Sequence, residues 1–239
     1  MNSVAALWVY LAASPLLWLT LTLIAYGLAV RVYAAVGMRP IANPLLTATA
    51  LVILALVVTA TPYETYFEGA QFIHFLLGPT TVALAIPLID NLDRVRRLLV
   101  PIGLALVAGS LTAIVSAVAI AALLGAPRSV LISIAPKSVT APVAMSLAQE
   151  IGGIPALTAV LVIITGVTGA VLGPPLMNLL RVRDDAARGF ALGVASHGLG
   201  TARAFQASEL AGVFAGLAMV LNGMLTAVLV PLIAPLILG

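Results

Sequence analysis

Long apolar segments without a single charged residue most constrain how this chain can fold. Residues 98–124 and 211–238 each exceed the roughly 20 helical residues that cross a bilayer core of about 30 Å. The remaining polar residues cannot cover a soluble globule, since 62% of the 239 residues are hydrophobic and 8% are charged. The sequence therefore predicts a single all-α membrane domain covering residues 1–239.

The rest of the composition excludes several classes of function. The arginines stand mainly at the ends of apolar runs and act as topology signals, so we expect the lipid bilayer as the surroundings and no nucleic-acid partner. Without a cysteine, and with two histidines far apart in sequence, we expect no metal and no other cofactor. Ser138 beside Lys137 lacks an oxyanion motif, so we expect no enzyme.

The order of apolar segments predicts about seven transmembrane helices and one re-entrant segment. Uninterrupted spans are expected at residues 16–36, 43–61, 98–124, 156–180 and 211–238. Residues 67–89 and 189–210 are also apolar, but polar, glycine-containing stretches at residues 78–81 and 196–203 interrupt them. These two segments are expected to be broken helices, and residues 128–151 are expected to be re-entrant.

The two halves of the chain resemble each other in the same order. Residues 44–48 (PLLTA) correspond to 155–159 (PALTA), and residues 109–113 (GSLTA) correspond to 223–227 (GMLTA). The basic loop follows the broken segment in the first half and precedes it in the second. Because arginine-rich loops lie on the cytoplasmic side, the two halves must cross the membrane in opposite directions. This predicts an inverted-topology repeat of residues 15–125 and 129–239, with Arg128 outside. The alternative is an accidental match in a chain rich in Ala, Leu and Gly.

Residues 135–142 (APKSVTAP) hold the one lysine of the chain. A cation and two hydroxyls at bilayer depth are costly in lipid, so they are expected to face a cavity or a bound anion. Lys137, Ser138 and Thr140 are therefore candidates for binding a carboxylate. The alternative is a lysine that extends to the membrane interface, although the flanking prolines disfavour a plain helix here.

The second broken helix supplies further candidates, His197, Gly198, Thr201 and Arg203. Arginine binds carboxylates with two parallel hydrogen bonds, and histidine titrates near neutral pH and can couple proton movement to transport. The alternative is that Arg203 pairs with Glu209 or Glu150, while His197 hydrogen-bonds a freed carbonyl.

The first broken helix offers counterparts of these residues. Gln71, Thr80 and Thr81 are candidate substrate contacts, and His74 and Glu68 join His197 as candidate proton carriers. For Gln71, His74, Thr80 and Thr81, a role in fastening helices together is an equal alternative, and for Glu68 the alternative is a solvated loop charge. Asn222, alone in the last span, is expected to have that fastening role.

Several motifs resemble the LrgB/CidB family, from about residue 16 to the C-terminus. They are GAQFIHFLLGP (69–79), PKSVT (136–140), IGGIPALTA (151–159), ARGFALG (187–193) and SHGLGTARA (196–204). The resemblance implies a multi-pass protein of the bacterial inner membrane that works with a smaller LrgA/CidA-type membrane protein. Family members are described as antiholin-like modulators of murein hydrolase activity. A plant relative is the plastidial glycolate/glycerate translocator, and bacterial relatives are linked to pyruvate uptake.

Two functions therefore remain open. The first is a carrier of small monocarboxylates such as glycolate, glycerate, pyruvate or lactate, coupled to protons, forming a homo-oligomer and working with the smaller partner. The second is an antiholin-like regulator of murein hydrolase activity and autolysis that carries no solute. The sequence favours the carrier, because broken helices with basic residues are not needed in a passive regulator.

Overall fold

Helices account for nearly all of the chain that the structure, a computed structural model, describes: residues 14–37, 42–76, 79, 82, 83 and 85–238. Within these residues there are helices, turns and short loops but no β-strand, which confirms the predicted all-α class. The chain divides into two compact units, Met1–Ala83 and Leu84–Gly239. The expected single domain built from two repeats stays a prediction.

The first unit contains three described helices. They are α1 (Pro15–Ala35), α2 (Pro44–Val58) and α3 (Tyr63–Phe75). Helix α2 begins where its sequence predicts, because the Asn43 side chain accepts a hydrogen bond from the Leu45 N–H at 2.9 Å and Pro44 occupies the first turn. Helix α1 packs against both others, and its fully buried Trp18 meets Tyr66 of α3 edge to face at 6.1 Å.

The second unit contains eight described helices. They are α4 (Ala85–Asp90), α5 (Leu92–Arg97), α6 (Leu99–Leu123), α7 (Arg128–Ile134), α8 (Ala141–Glu150), α9 (Pro155–Leu179), α10 (Asp185–Ala207) and α11 (Glu209–Leu238). Asp184 caps α10 by accepting the Ala187 N–H at 2.9 Å. Only Ser208 separates α10 from α11, so these two helices form a hairpin, and it is the most extensive helix pairing in the described chain.

Four of the described helices are long and apolar enough to cross a membrane. They are Pro15–Ala35, Leu99–Leu123, Pro155–Leu179 and Glu209–Pro235. Helix α2 is apolar, but its 15 residues reach only about 22 Å. The predicted total of about seven spans and the inverted repeat stay predictions. The predicted break at residues 78–81 lies outside the described residues, except for Pro79.

Residues 128–151 form two short helices with a non-helical connection between them rather than one straight helix. Helix α7 ends at Ile134, the next six residues form non-helical turns, and α8 begins at Ala141. The N–H of Ile154, just after α8, donates to Ser133 Oγ of α7 at 2.8 Å, and Thr158 Oγ1 donates to the Ser133 carbonyl at 3.0 Å. The chain therefore returns to the end of α7 after α8. We call the connecting residues 135–140 the hairpin tip. The expectation that prolines prevent a plain helix here is confirmed.

Glycines allow α10 and α11 to approach closely. Gly189 and Gly193 lie one turn apart on α10, and a Cβ at either position would overlap the carbonyl of Ala211 or Ala215 on α11. Small residues spaced by four positions are typical of tightly packed helices in membranes. The sequence motif at residues 187–193 therefore has a packing role.

We predict that Gly193→Ala lowers the free energy of unfolding by about 1–3 kcal/mol, because the added methyl group overpacks the α10–α11 contact. The matched control is Gly103→Ala on α6, where an added Cβ meets nothing within 4 Å. That change should leave stability equal or raise it by about 0.5–1 kcal/mol through helix propensity. Unfolding of the purified variants in detergent micelles measures both, and equal effects would contradict the close approach.

Candidate functional site

Helix α10 is interrupted at His197, which confirms the interruption predicted for residues 196–203. His197 has φ 43° and ψ −132°, a conformation that costs a residue with a side chain about 1–3 kcal/mol. Its imidazole Nε2 lies 3.1 Å from the Val162 carbonyl of α9, and Gly166 leaves room for the ring, since a Cβ there would overlap it. Thr201 Oγ1 donates to the His197 carbonyl at 3.0 Å. His197 thus contacts a carbonyl inside the neighbouring helix, and its role as a candidate proton carrier stays a prediction.

Asn222 of α11 connects four parts of the second unit. Its Nδ2 donates to the Ser138 carbonyl at the hairpin tip at 3.1 Å and to the Val194 carbonyl of α10 at 3.2 Å. Its Oδ1 accepts from Ser110 Oγ of α6 at 2.5 Å. Asn222 is 1% exposed, so these are buried hydrogen bonds. The prediction that Asn222 fastens helices together is confirmed.

A cavity of about 720 Å³ lies between α6, α10 and the hairpin tip. Its walls follow α6 from Leu98 to Ala113 and α10 to Ala195. The polar lining residues are Thr112, Lys137, Ser138 and Asp184, and the remaining lining residues are apolar or glycine. Because Asn222 holds Ser138 level with Ser110 of α6, Lys137 lies about 18 Å of helix rise away from Leu98.

The two charged residues of this cavity stand at opposite ends. Lys137 Nζ donates to Ser138 Oγ at 3.3 Å, and within the described part of the chain it has no carboxylate partner. Asp184, at the end near Leu98, pairs with Arg94 at 3.0 Å. Both side chains of this pair are about half exposed, at 46% and 55%, so the pair adds little stability.

The other candidates of the second unit do not line this cavity. Arg203 donates to Gln206 Oε1 at 2.9 Å near the end of α10, and Thr140 precedes the first turn of α8. His197 lies at the interruption of α10, Gly198 and Thr201 follow it, and all three are likewise absent from the lining. The cavity thus brings Lys137 and Ser138 together, without Arg203.

The candidates of the first unit stay predictions. Gln71 Nε2 donates to the Glu68 carbonyl at 2.6 Å, and both residues are exposed on α3. The His74 side chain and residues Thr80 and Thr81 lie outside the described residues. Among described side chains, no three His, Asp or Glu residues come together as a metal site requires.

The sequence matches a known family over most of its length. The model of the LrgB-like family matches residues 22–236. The chain belongs to the LrgB-like family. The antiholin-like protein LrgB of Bacillus mycoides is 33% identical over 94% of this chain and 97% of that protein. The holin-like protein CidB of Staphylococcus epidermidis is 31% identical over 82% of this chain and 85% of that protein. The uncharacterized protein YxaC of Bacillus subtilis is 37% identical over 93% of this chain and 96% of that protein. No solved structure matches the chain.

Sequence reasoning missed most of the cavity wall in this LrgB-like chain. Phe190 and Val194 of α10, Thr112 of α6 and Phe214 of α11 line the cavity, but none was a candidate. Phe190 and Val194 lie four residues apart and share a helix face with Ala187 and Ala191. That periodicity identifies a common face, but only the packing of α6 against α10 shows what the face encloses.

We predict that Asn222→Ala destabilises this LrgB-like protein by several kcal/mol, because two buried carbonyls lose their donor, at about 1–3 kcal/mol each. Combining it with Ser110→Ala tests the network directly. The double variant should lose at least about 0.5 kcal/mol less than the sum of the single losses. Ser116→Ala, at an exposed position on the same helix as Ser110, is the control and should be neutral. If the stability losses of the two single variants, measured by unfolding in micelles, added up to that of the double variant, the hydrogen-bond network would be contradicted.

We also predict that His197→Gly is less destabilising than His197→Ala, by about 1 kcal/mol, because glycine adopts φ 43° without strain. Both variants lose the contact with Val162, so their difference reports the backbone alone. At the exposed helical position Ala202, a change to glycine should instead cost about 1 kcal/mol. If His197→Ala were the more stable variant of the pair, α10 would be continuous at this position.

Proposed function

We propose that this LrgB-like protein is a multi-pass protein of the bacterial inner membrane that acts as an antiholin-like regulator of murein hydrolase activity and autolysis. The observation that carries the proposal is the similarity, over most of the chain, to relatives named antiholin-like LrgB and holin-like CidB. Four helices long and apolar enough to span a bilayer support the membrane location. The names of these relatives favour this function over the monocarboxylate carrier that the sequence alone favoured.

A carrier of small monocarboxylates is the second candidate, and one structural feature favours it. Lys137 and Ser138 lie in the non-helical connection between α7 and α8, beside an interrupted helix, and line a cavity of about 720 Å³. Carriers with discontinuous helices bind their substrates where such helices meet near the bilayer midplane. A lysine without a carboxylate partner among the described residues suits the carboxylate of glycolate, glycerate, pyruvate or lactate.

In the carrier proposal, the hairpin of α7 and α8 is re-entrant and brings the Lys137 ammonium group to the substrate. Ser138 Oγ, which accepts from Lys137 Nζ, orients that group. Further substrate contacts are assigned to Thr140, Gly198, Thr201, Arg203, Gln71, Thr80 and Thr81, and proton coupling to His197, His74 or Glu68. These assignments follow from residue chemistry.

Both candidates include the same partners. We propose that the protein works with a smaller LrgA/CidA-type membrane protein and forms homo-oligomers. The regulator would act through that partner, whereas the carrier would need it for uptake. Co-production of the two proteins is therefore required in any functional test.

The experiment that separates the candidates compares Lys137→Gln with the charge-preserving Lys137→Arg. As a regulator, the wild-type protein should slow autolysis when it is restored to a deletion strain, and both variants should slow it equally, because no solute is carried. As a carrier, it should import labelled glycolate or pyruvate into proteoliposomes containing the partner. Lys137→Gln should then reduce uptake at least tenfold, and Lys137→Arg should retain part of it.

Each result has a clear meaning. If the rate of autolysis changes neither when the gene is deleted nor when the wild-type protein is restored, the regulator proposal is contradicted. Absent uptake with the partner present, or equal uptake by wild type and Lys137→Gln, contradicts the carrier. Immunoblots of the membrane fraction confirm equal amounts of each variant.

A further inference from the structure

The wall of the cavity is much more apolar than a small hydroxy acid requires. Exposed alanines line it on both long sides, Ala105 and Ala108 on α6 and Ala191 and Ala195 on α10. We call this surface the alanine groove. It extends from Lys137 for about 18 Å of helix rise along α6, toward the end formed by Leu98 and Asp184. Small side chains on both sides leave open space between two helices, and that space adjoins the cation.

The chemistry of the groove discriminates between acids. Ser138 and Thr112 are the hydroxyl residues among its lining, so a polyhydroxy acid would leave hydroxyl groups without partners. Each unpaired buried hydroxyl lowers affinity roughly tenfold or more. Each buried methylene group raises affinity roughly fourfold. The same groove that penalises glycerate therefore favours an acid with a hydrocarbon tail.

The size of the groove agrees with this preference. Pockets that bury most of a drug-sized ligand have volumes of about 300–1,000 Å³, and this open groove has about 720 Å³. A two-carbon or three-carbon acid would leave most of that space unfilled. An unbranched tail of several carbons would contact the alanine walls while its carboxylate stays at Lys137 Nζ.

We propose that the alanine groove binds monocarboxylates with an unbranched apolar tail of about four to six carbons, carboxylate at Lys137 and tail along Ala105 and Ala191. The proposal rests on the carrier candidate for the role of Lys137 and extends it by naming the preferred substrate class. Charge complementarity selects this occupant, because Lys137 has no carboxylate partner within the described chain.

The test is a chain-length series measured by isothermal titration calorimetry on the full-length protein in nanodiscs, with its partner protein present. Acetate, butyrate and hexanoate should bind with affinity that rises roughly fifteenfold for each two-carbon step. Lys137→Gln should weaken all three acids by a similar factor of at least tenfold and leave the slope unchanged. Butanol and hexanol, which lack the carboxylate, report partitioning into the lipid and should show no difference between wild type and Lys137→Gln.

Two matched alanine variants of α6 locate the tail. Ala105→Phe fills the groove and should abolish the gain from butyrate to hexanoate while leaving acetate binding within about twofold. Ala119→Phe, an exposed alanine of the same helix outside the groove, should leave the whole series unchanged. Equal effects of the two variants would overturn the placement of the tail.

The outcomes separate this inference from the carrier proposal. Acids that bind with no dependence on length, as expected if a lipid chain or a partner's helix fills the groove, overturn the inference and leave the carrier open. A clear slope without any uptake in proteoliposomes overturns the carrier and leaves a ligand site. Absence of binding by every acid overturns the inference and removes the role of Lys137.

Discussion

The need to satisfy backbone carbonyls inside an apolar protein organises the second unit. Lipid supplies no hydrogen-bond donors, so each interruption of a helix must be matched by a donor from the protein. At the two interruptions in this unit, Asn222 binds the carbonyls of Ser138 and Val194, while Thr201 binds that of His197. Because one amide serves both the hairpin tip and α10, the two interruptions are held at the same level. Their positions are consequences of one hydrogen-bond network.

The orientation of Lys137 follows from that network. The Asn222 amide fixes the backbone at Ser138, and Val139 next to it is 1% exposed and packs with Ala144 and Val162. Because Val139 is buried on one side, Lys137 projects toward the α6–α10 cavity. Rigid neighbours hold the ammonium group in one position, and in the carrier proposal this preorganisation would lower the cost of binding an anion. The strained backbone of His197 adds to this rigidity, because Gly166 and the Val162 carbonyl enclose its ring.

The sequence predicted local features well and long-range features poorly. Residues 98–124 and 156–180 were expected to be spans, and the helices found are Leu99–Leu123 and Pro155–Leu179, because apolar runs and prolines determine where such helices begin and end. The interruption of α10 at residues 196–203 was also expected, and the residue with the strained conformation there is His197. The cavity wall could not be predicted, because it depends on which faces of α6 and α10 oppose each other. Arg203, like Lys137, was a candidate for binding a carboxylate. It does not line the cavity, and it donates to Gln206 one turn further along α10.

The cost of placing the Lys137 ammonium group in an apolar cavity differs in its consequences for the two functional candidates. A regulator that acts only through protein contacts gains nothing from a lysine in an apolar cavity, and it bears the cost of removing that charge from water. A carrier recovers the cost each time an anion binds, because charge-assisted hydrogen bonds replace the lost hydration. A regulator that responds to an organic acid would recover it in the same way. Under either proposal, occupancy of the cavity by an anion would therefore offset the cost of placing Lys137 there.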